Sequence, residues 1–444
     1  MAQSNQTMLA VLLVVGLVIG AGAGYMLAPK GGETIVEVPV EVPVEVHPFA
    51  GQTLRIGRTA ASTEGLETTF PLAEEIMMPD IQAYLDMTGL DVTLNILVED
   101  CQSSESIALE KTQSFKAMGV NLVLGHGWSG QCSSSLSYVN ENNMILISGS
   151  STSPLLAIAD DMLFRTCPTD FVQAPAIATM WETWGAKAVL TFFRGDAWGD
   201  GIYNLLDTGG AWEAHGIVDI GKIRYAPEST EFSNYLDLAN GIIGDAVEEY
   251  GGARYVGFQY FGFQESRVYQ TQAADYPYVQ GSIWMSTESG GRGERMIDET
   301  GELCLQTRHF SSLMGVDEGS FEWKSFEERY YEKTQFMPSF YAAVEYDAAW
   351  LLMKSALETS SMEASNIADV LIDVSYKHHG LSGWLMLTPE GDRAAQIFDI
   401  WGYMEQDDGT IWFQKWGQYD GRTIEVTWDD AKILAAGIDA PRLD

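Results

Sequence analysis

The 444-residue chain predicts an α/β protein: two doubly wound, Rossmann-like lobes side by side, preceded by a transmembrane helix and an extended linker. Two observations predict the lobes. Strand-like runs alternate with amphipathic helical runs for about a hundred residues, and the same alternation then begins again. A third observation predicts the leader, a stretch of uncharged residues from Met8 to Ala28 followed by a Val-Glu-Val-Pro repeat.

At about 1.5 Å per residue, "MLAVLLVVGLVIGAGAGYMLA" covers the roughly 30 Å of a bilayer core. The small residues at 21–23 offer a signal-peptidase site, while the length of the run and the absence of Lys or Arg before it favour an uncleaved anchor. Residues 1–29 are therefore an N-terminal transmembrane anchor or signal, without a neighbouring cysteine for lipidation, since Cys101 is the first. Residues 30–51 are a Val-Glu-Pro linker, whose prolines and like charges favour an extended stalk. This arrangement places the folded part at the cell surface on the extracellular or periplasmic face, or secreted if the leader is cleaved.

In the folded part, "TLRIGRT" (53–59) reads as a first strand and residues 65–89 as a helix closed by Gly89. The strand "DVTLNILVED" and a Ser-capped helix over 103–119 follow. Strand 120–125, a helix from about Ser133 and strand 144–148 complete the first round. The second round runs through helix 173–185, strand 188–193, a helix from about Gly199, strand "IVDIGKIRY", a helix ending at Gly251 and strand 254–261. Such sheets hold ligands at the C-terminal ends of their strands, so two of them side by side predict a cleft.

Sixty-two acidic against 25 basic residues give a net charge of -37. That charge repels nucleic acid and gives anionic lipid nothing to attract. The acidic residues are scattered, as on a solvated surface, and 46% hydrophobic content supports sizeable cores.

"TLRIGRTAAST", "VEDCQSSESIALEKTQSF", "VLGHGWSG", "MILISGSSTSP", "LFRTCPTD", "DAWGDG" and "PSFYAAVEYDAAWLLMKSALE" fall in the order and at the spacings of the type I periplasmic binding proteins of branched-chain amino acid and amide ABC importers. The resemblance spans about residues 53–403. It implies two lobes with three crossovers and a hinge, lobe one as 52–168 plus 305–385 and lobe two as 169–304 plus 386–444. It also implies a non-enzymatic receptor that captures an amino acid, amide or urea-like solute and delivers it to a permease and ATPase complex. No cofactor is expected.

Loops leaving strand ends present N–H groups and hydroxyls, which suit a carboxylate. In the resemblance, Ser150 and Thr152 align with carboxylate and ammonium contacts, and Trp128 and Ser129 in "GWSG" form the other half of the cradle. Trp198 stands where the family closes an aromatic over the ligand. Tyr260 and Phe261 are similarly placed, and strand alternation allows only one of them to face the cleft. Glu288 matches the acid that amino acid binders set against the ligand ammonium. The aromatics suit a ligand larger than leucine, aromatic, or an amide.

Four cysteines in an exported domain suggest disulfides. Cys101 and Cys132 share a rim where the family often has a bridge, although its second cysteine usually lies near Trp128. Cys167 and Cys304 either staple the hinge or are buried thiols. Two other function classes fit the sequence less well. A serine hydrolase needs Gly where Gln131 follows "GHGWSG", and a sensory ectodomain would need more than seven residues before the apolar run. The adjacent His378 and His379 read as a surface loop rather than a metal site, and "SGGRGER" lacks the Lys-Ser/Thr of a P-loop.

Overall fold

The computed structural model describes residues 48–291, 294–394, 397–421 and 423–444. The expected anchor and nearly all of the linker lie outside the described residues, and no helix among those described is long and apolar enough to cross a membrane.

The first alternation builds β1 (Gln52–Ala60), β2 (Val92–Asp100), β3 (Leu122–Leu124), β4 (Ile145–Ser148) and β5 (Leu163–Pro168), all parallel, in the order β5-β4-β3-β1-β2. Parallel strands are covered on both faces and so read as continuous apolar runs. Accordingly β3, β4 and β5 are buried at every position. The second alternation builds β6 (Ala188–Arg194), β7 (Val218–Tyr225), β8 (Val256–Phe261), β9 (Ile283–Ser286) and β10 (Phe310–Met314), parallel in the order β10-β9-β8-β6-β7. The α/β class is the one the alternation predicts.

A short hairpin follows, β11 (His379–Gly380) with β12 (Gly383–Trp384). Next, β13 (Asp392–Arg393) joins the first sheet beside β5. Finally β14 (Ile397–Glu405), β15 (Ile411–Asp420) and β16 (Glu425–Trp428) extend the second sheet antiparallel from β10. Two segments thus fall on the other side of the expected lobe boundaries. Residues 310–314, expected in lobe one, pair in the second sheet, and residues 392–393, expected in lobe two, pair in the first. A short apolar strand carries no local mark of which sheet edge it will join, so strand pairing alone decides. The chain passes between the sheets after β5, after β10 and after β13.

Each sheet has its own core. Ile56, Leu122, Leu124, Ile145 and Ile147 cluster with Ala348 and Leu352 of the helix Phe340–Thr359. In the second lobe Trp184 stacks on Phe310 at 4.7 Å and on Trp416 at 6.3 Å. The helix expected over 65–89 is interrupted, with a wider π-helical segment, Leu72–Met77, between Leu66–Pro71 and Met78–Met87. Pro79 cannot donate to the carbonyl four residues back, and a wider turn relieves its ring clash there.

All four cysteines are buried thiols, and neither expected bridge is formed. No Sγ faces another: Cys132 donates to the His126 carbonyl at 3.1 Å, Cys101 lies 3.8 Å from the ring of the same histidine, Cys167 donates to the Ser151 carbonyl and Cys304 to Gln270. Burial pushes Cys101 and Cys304 up to about 12 and Cys132 to about 11, so all three are protonated and inert at neutral pH. Thiol titration without reductant is expected to read four thiols in denaturant and almost none in the native protein. Fewer than four after unfolding would restore a bridge. The surface loop expected at His378 is also corrected. That ring is buried, bonded to Lys354 Nζ at 2.9 Å.

Candidate ligand-binding cleft

A cavity of about 460 Å³ opens at the C-terminal ends of the parallel strands, walled by both lobes. Thr59, Ser62, Trp128, Ser129 and Ser150 line it from the first lobe, Trp198, Phe263, Gln264 and Glu288 from the second, and Tyr341 and Glu345 from the long helix. Of the eight expected contact residues, Trp128, Ser129, Ser150, Trp198 and Glu288 reach this wall.

The hydroxyl-rich loop after β4 is locked to the loop after β3. Ser148 Oγ donates to the His126 carbonyl at 2.8 Å and accepts from the Ser151 N–H at 3.0 Å. Ser150 Oγ donates to the Gly127 carbonyl at 2.6 Å. Ser129 Oγ accepts from Ser151 Oγ at 3.0 Å and from the Ser153 N–H at 3.2 Å, leaving its own proton for a ligand oxygen. The helix Ser129–Glu141 begins four residues earlier than expected and has no side-chain cap. Its first-turn N–H groups and the positive end of its dipole therefore stand at the cleft beside Ser129. Gly149 permits the turn, because a Cβ there would lie 2.8 Å from Glu345 Cγ, whose carboxylate pairs with buried Arg58.

Acids stand opposite. Glu288 begins a helical turn after β9, is 7% exposed, and accepts from Gln173 Nε2. Burial pushes its carboxyl up to about 7. Beside it, Asp170 is fully buried. Burial, and then the charge of Glu288, hold Asp170 well above the usual carboxylate range. Thr152 lies behind the wall rather than in it; its carbonyl accepts from the Asp170 N–H at 2.9 Å, and its hydroxyl is buried on the side of the Asp170 carboxyl. Two buried carboxyls set against each other make a site that favours a positive group.

The aromatics form a stack across the cleft. Trp128 of the first lobe lies on Phe263 of the second at 4.4 Å and 12°, and Phe263 lies on Trp198 at 4.9 Å and 14°. The Arg194 guanidinium sits 5.4 Å from the Trp128 ring and 5.1 Å from Phe263, held by Asp196 at 2.7 Å and Glu265 at 3.0 Å. Such stacking and cation–π contacts join the lobes on one side of the cavity. The ion pair of Arg267 with Glu64 at 3.2 Å, and that of Arg295 with Glu67, join them on another. The arrangement is closed.

Tyr260 and Phe261 do not reach the cavity. The Tyr260 hydroxyl is turned into the core toward His309 and Gln270, at 3.1 and 3.0 Å, and Phe261 is buried with its edge against Trp198 at 5.9 Å. The aromatic that lines the cavity is Phe263, half-buried just beyond the strand and missed from the sequence although it stands two residues on from Phe261. Asp170 was also missed. An acid in the first turn of a helix is ordinarily a solvated dipole partner, and here it is buried among groups of both lobes, Thr152 and Glu288 among them. The hydrolase arrangement is not formed either. The His126 ring bonds Thr59, Thr112 and Ser135, and burial pushes it down to about 3, while Ser129 is engaged with the hydroxyl loop. Among the described residues no group of three His, Cys, Asp or Glu is placed to hold a metal ion.

Residues 80–406 match the family model for the receptor family ligand binding region. The chain belongs to that family. Among curated proteins, the receptor-family chain is 25% identical over 374 residues to an uncharacterized protein of Methanocaldococcus jannaschii, covering 80% of this chain and 86% of that one. Among solved structures, a leucine binding protein of Thermotoga maritima is 17% identical with a TM-score of 0.66, over 86% of this chain and 99% of that one. A solute binding protein of an ABC transporter from R. palustris, in complex with 4-hydroxybenzoate, is 14% identical with a TM-score of 0.67, over 83% and 97%. A branched-chain amino acid transporter substrate binding protein of Streptococcus pneumoniae, in complex with isoleucine, is 17% identical with a TM-score of 0.62, over 82% and 99%. At these identities the shared property is the fold of the type I periplasmic binding proteins.

Proposed function

We propose that the protein is an extracellular or periplasmic solute receptor that closes its two lobes on a small zwitterion, an α-amino acid, and presents it to an ABC permease and ATPase complex. The observation that carries this reading is the opposition of two poles across one cavity. The uncapped start of the helix Ser129–Glu141 with the Ser129 hydroxyl suits a carboxylate. Glu288, raised by burial and set beside the buried carboxyl of Asp170, suits an ammonium. A zwitterion satisfies both at once, whereas a neutral amide leaves the acids unanswered. Leu72, Met296, Leu313, Phe336 and Phe413 also line the cavity, which favours an apolar or aromatic side chain over a short polar one.

A thermal-shift screen of the proteinogenic amino acids, simple amides and urea tests the reading. A ligand that binds only the folded protein at about 100 times its dissociation constant adds roughly 2.7 kcal/mol. An apolar or aromatic amino acid is expected to raise the melting temperature. A response to urea or amides alone would replace the zwitterion by a neutral solute, and no response from any of them would sink the proposal.

A further inference from the structure

Arg165 is 0% exposed and lies in β5, the strand from which the chain first crosses to the second lobe. Its guanidinium splits its donors between two tasks. Nε and Nη2 bond the two oxygens of Asp392 at 2.6 and 2.7 Å, a fork on a carboxylate. Nη1 bonds the carbonyls of Ser153 at 2.6 Å and Ser151 at 3.3 Å, in the hydroxyl-rich loop. Asp392 belongs to β13, from which the chain crosses for the last time, and β13 pairs with β5 with Asp392 opposite Arg165. One side chain therefore ties two of the three crossing strands to the loop that locks Ser129.

The geometry points to Arg165 and Asp392 as a positioning pair that sets the loop's shape and transmits the state of the hinge to it. The inference rests on the proposed ligand site, since the pair is 0% and 4% exposed and acts through the loop. If a ligand or lobe rotation shifts β5 against β13, the fork must follow, and the Ser151 and Ser153 carbonyls move with it. Their peptide planes carry the Thr152 and Pro154 nitrogens and so fix where the Thr152 and Ser153 backbones stand relative to Asp170 and Ser129. A lysine cannot replace this function, because an ammonium has no planar fork to hold two oxygens on one side and two carbonyls on the other.

The test separates position from bulk stability. Removing one partner leaves a buried unpaired charge and endangers the fold, whereas replacing both by apolar residues of similar volume is often neutral. The double variant Arg165→Met, Asp392→Leu is therefore compared with the unaltered protein, and Arg165→Lys serves as a second variant that keeps the charge. Hydrogen exchange of residues 149–153 is read without ligand, and L-leucine is the binding probe. The expected result for a variant that keeps its melting temperature within a few degrees is about tenfold or faster exchange at the Ser151 and Ser153 amides, with leucine binding weakened at least tenfold. Unchanged exchange in either folded variant overturns the inference. Failure of leucine to bind the unaltered protein counts against the proposed ligand, and the exchange comparison still decides the role of Arg165.

Discussion

Glu288→Gln is expected to weaken binding of an α-amino acid by about 2 to 5 kcal/mol, the range for truncating one partner of a buried charge pair. That corresponds to roughly 30-fold to several thousandfold in dissociation constant. The effect is large because Glu288 is almost entirely shielded and shares its surroundings with Asp170. Glutamine keeps the shape and the contact with Gln173 but withdraws the charge that the ligand ammonium would meet. Asp170→Asn is expected to act in the same direction, and the two changes together should fall short of the sum, because each carboxyl alters the ionisation of the other. The same substitutions should leave a neutral amide unaffected or improve its binding, since they relieve two buried acids. Calorimetry with an amino acid and with a simple carboxamide that lacks an amino group reads both arms. Equal affinity of the Glu288 variant for the amino acid would remove the acid pole from the site.

How much of this was legible in the sequence follows the range of each signal. The strands were readable because parallel strands buried on both faces leave unbroken apolar runs such as Ile145–Ser148 and Ala188–Arg194, fully buried as expected. The positions of Ser129, Ser150 and Trp198 at the cleft follow from their places just after strand ends. What was not legible depends on contacts across the chain. Residues 310–314 joined the sheet opposite to the expected one, since pairing is chosen by a neighbouring edge. Tyr260 was displaced by Phe263 because the strand's last residues turn inward to His309. Cys101 and Cys132 both lie against His126, yet each Sγ has its own contact there and no bridge joins them, which spacing cannot reveal. Asp170 shows the limit most plainly. Nothing near it in sequence marks it as different from a surface acid, and it is buried by groups distant in the chain, Glu288 among them.

The carboxyl pair also predicts a pH dependence with a definite sign. Folding raises Glu288 from 4.5 to about 7, chiefly by burial, so between those values the folded chain binds a proton that the unfolded chain has lost. Stability from this group is therefore highest below about pH 4.5 and falls as pH rises toward 7, by on the order of 3 kcal/mol for the empty protein. Asp170 is raised well above its ordinary value as well and contributes with the same sign. The groups facing Glu288 are Asp170, Gln173, Thr287 and Tyr341, and Tyr341, held well above its ordinary value by burial and by Glu288, stays neutral across this range. Ligand binding should run the opposite way. An ammonium needs the ionised acid, and each unit of pH below 7 leaves about tenfold less of it, so affinity for an α-amino acid is expected to be about 100-fold weaker at pH 5 than at pH 8. In the bound protein the loss of stability with rising pH should correspondingly shrink, because the ligand charge stabilises the carboxylate. Melting temperatures and dissociation constants measured from pH 4.5 to 8.5, with and without ligand, read both slopes. An affinity that is flat or that falls with rising pH would show that the ligand brings no positive charge to Glu288, and would turn the choice toward a neutral solute.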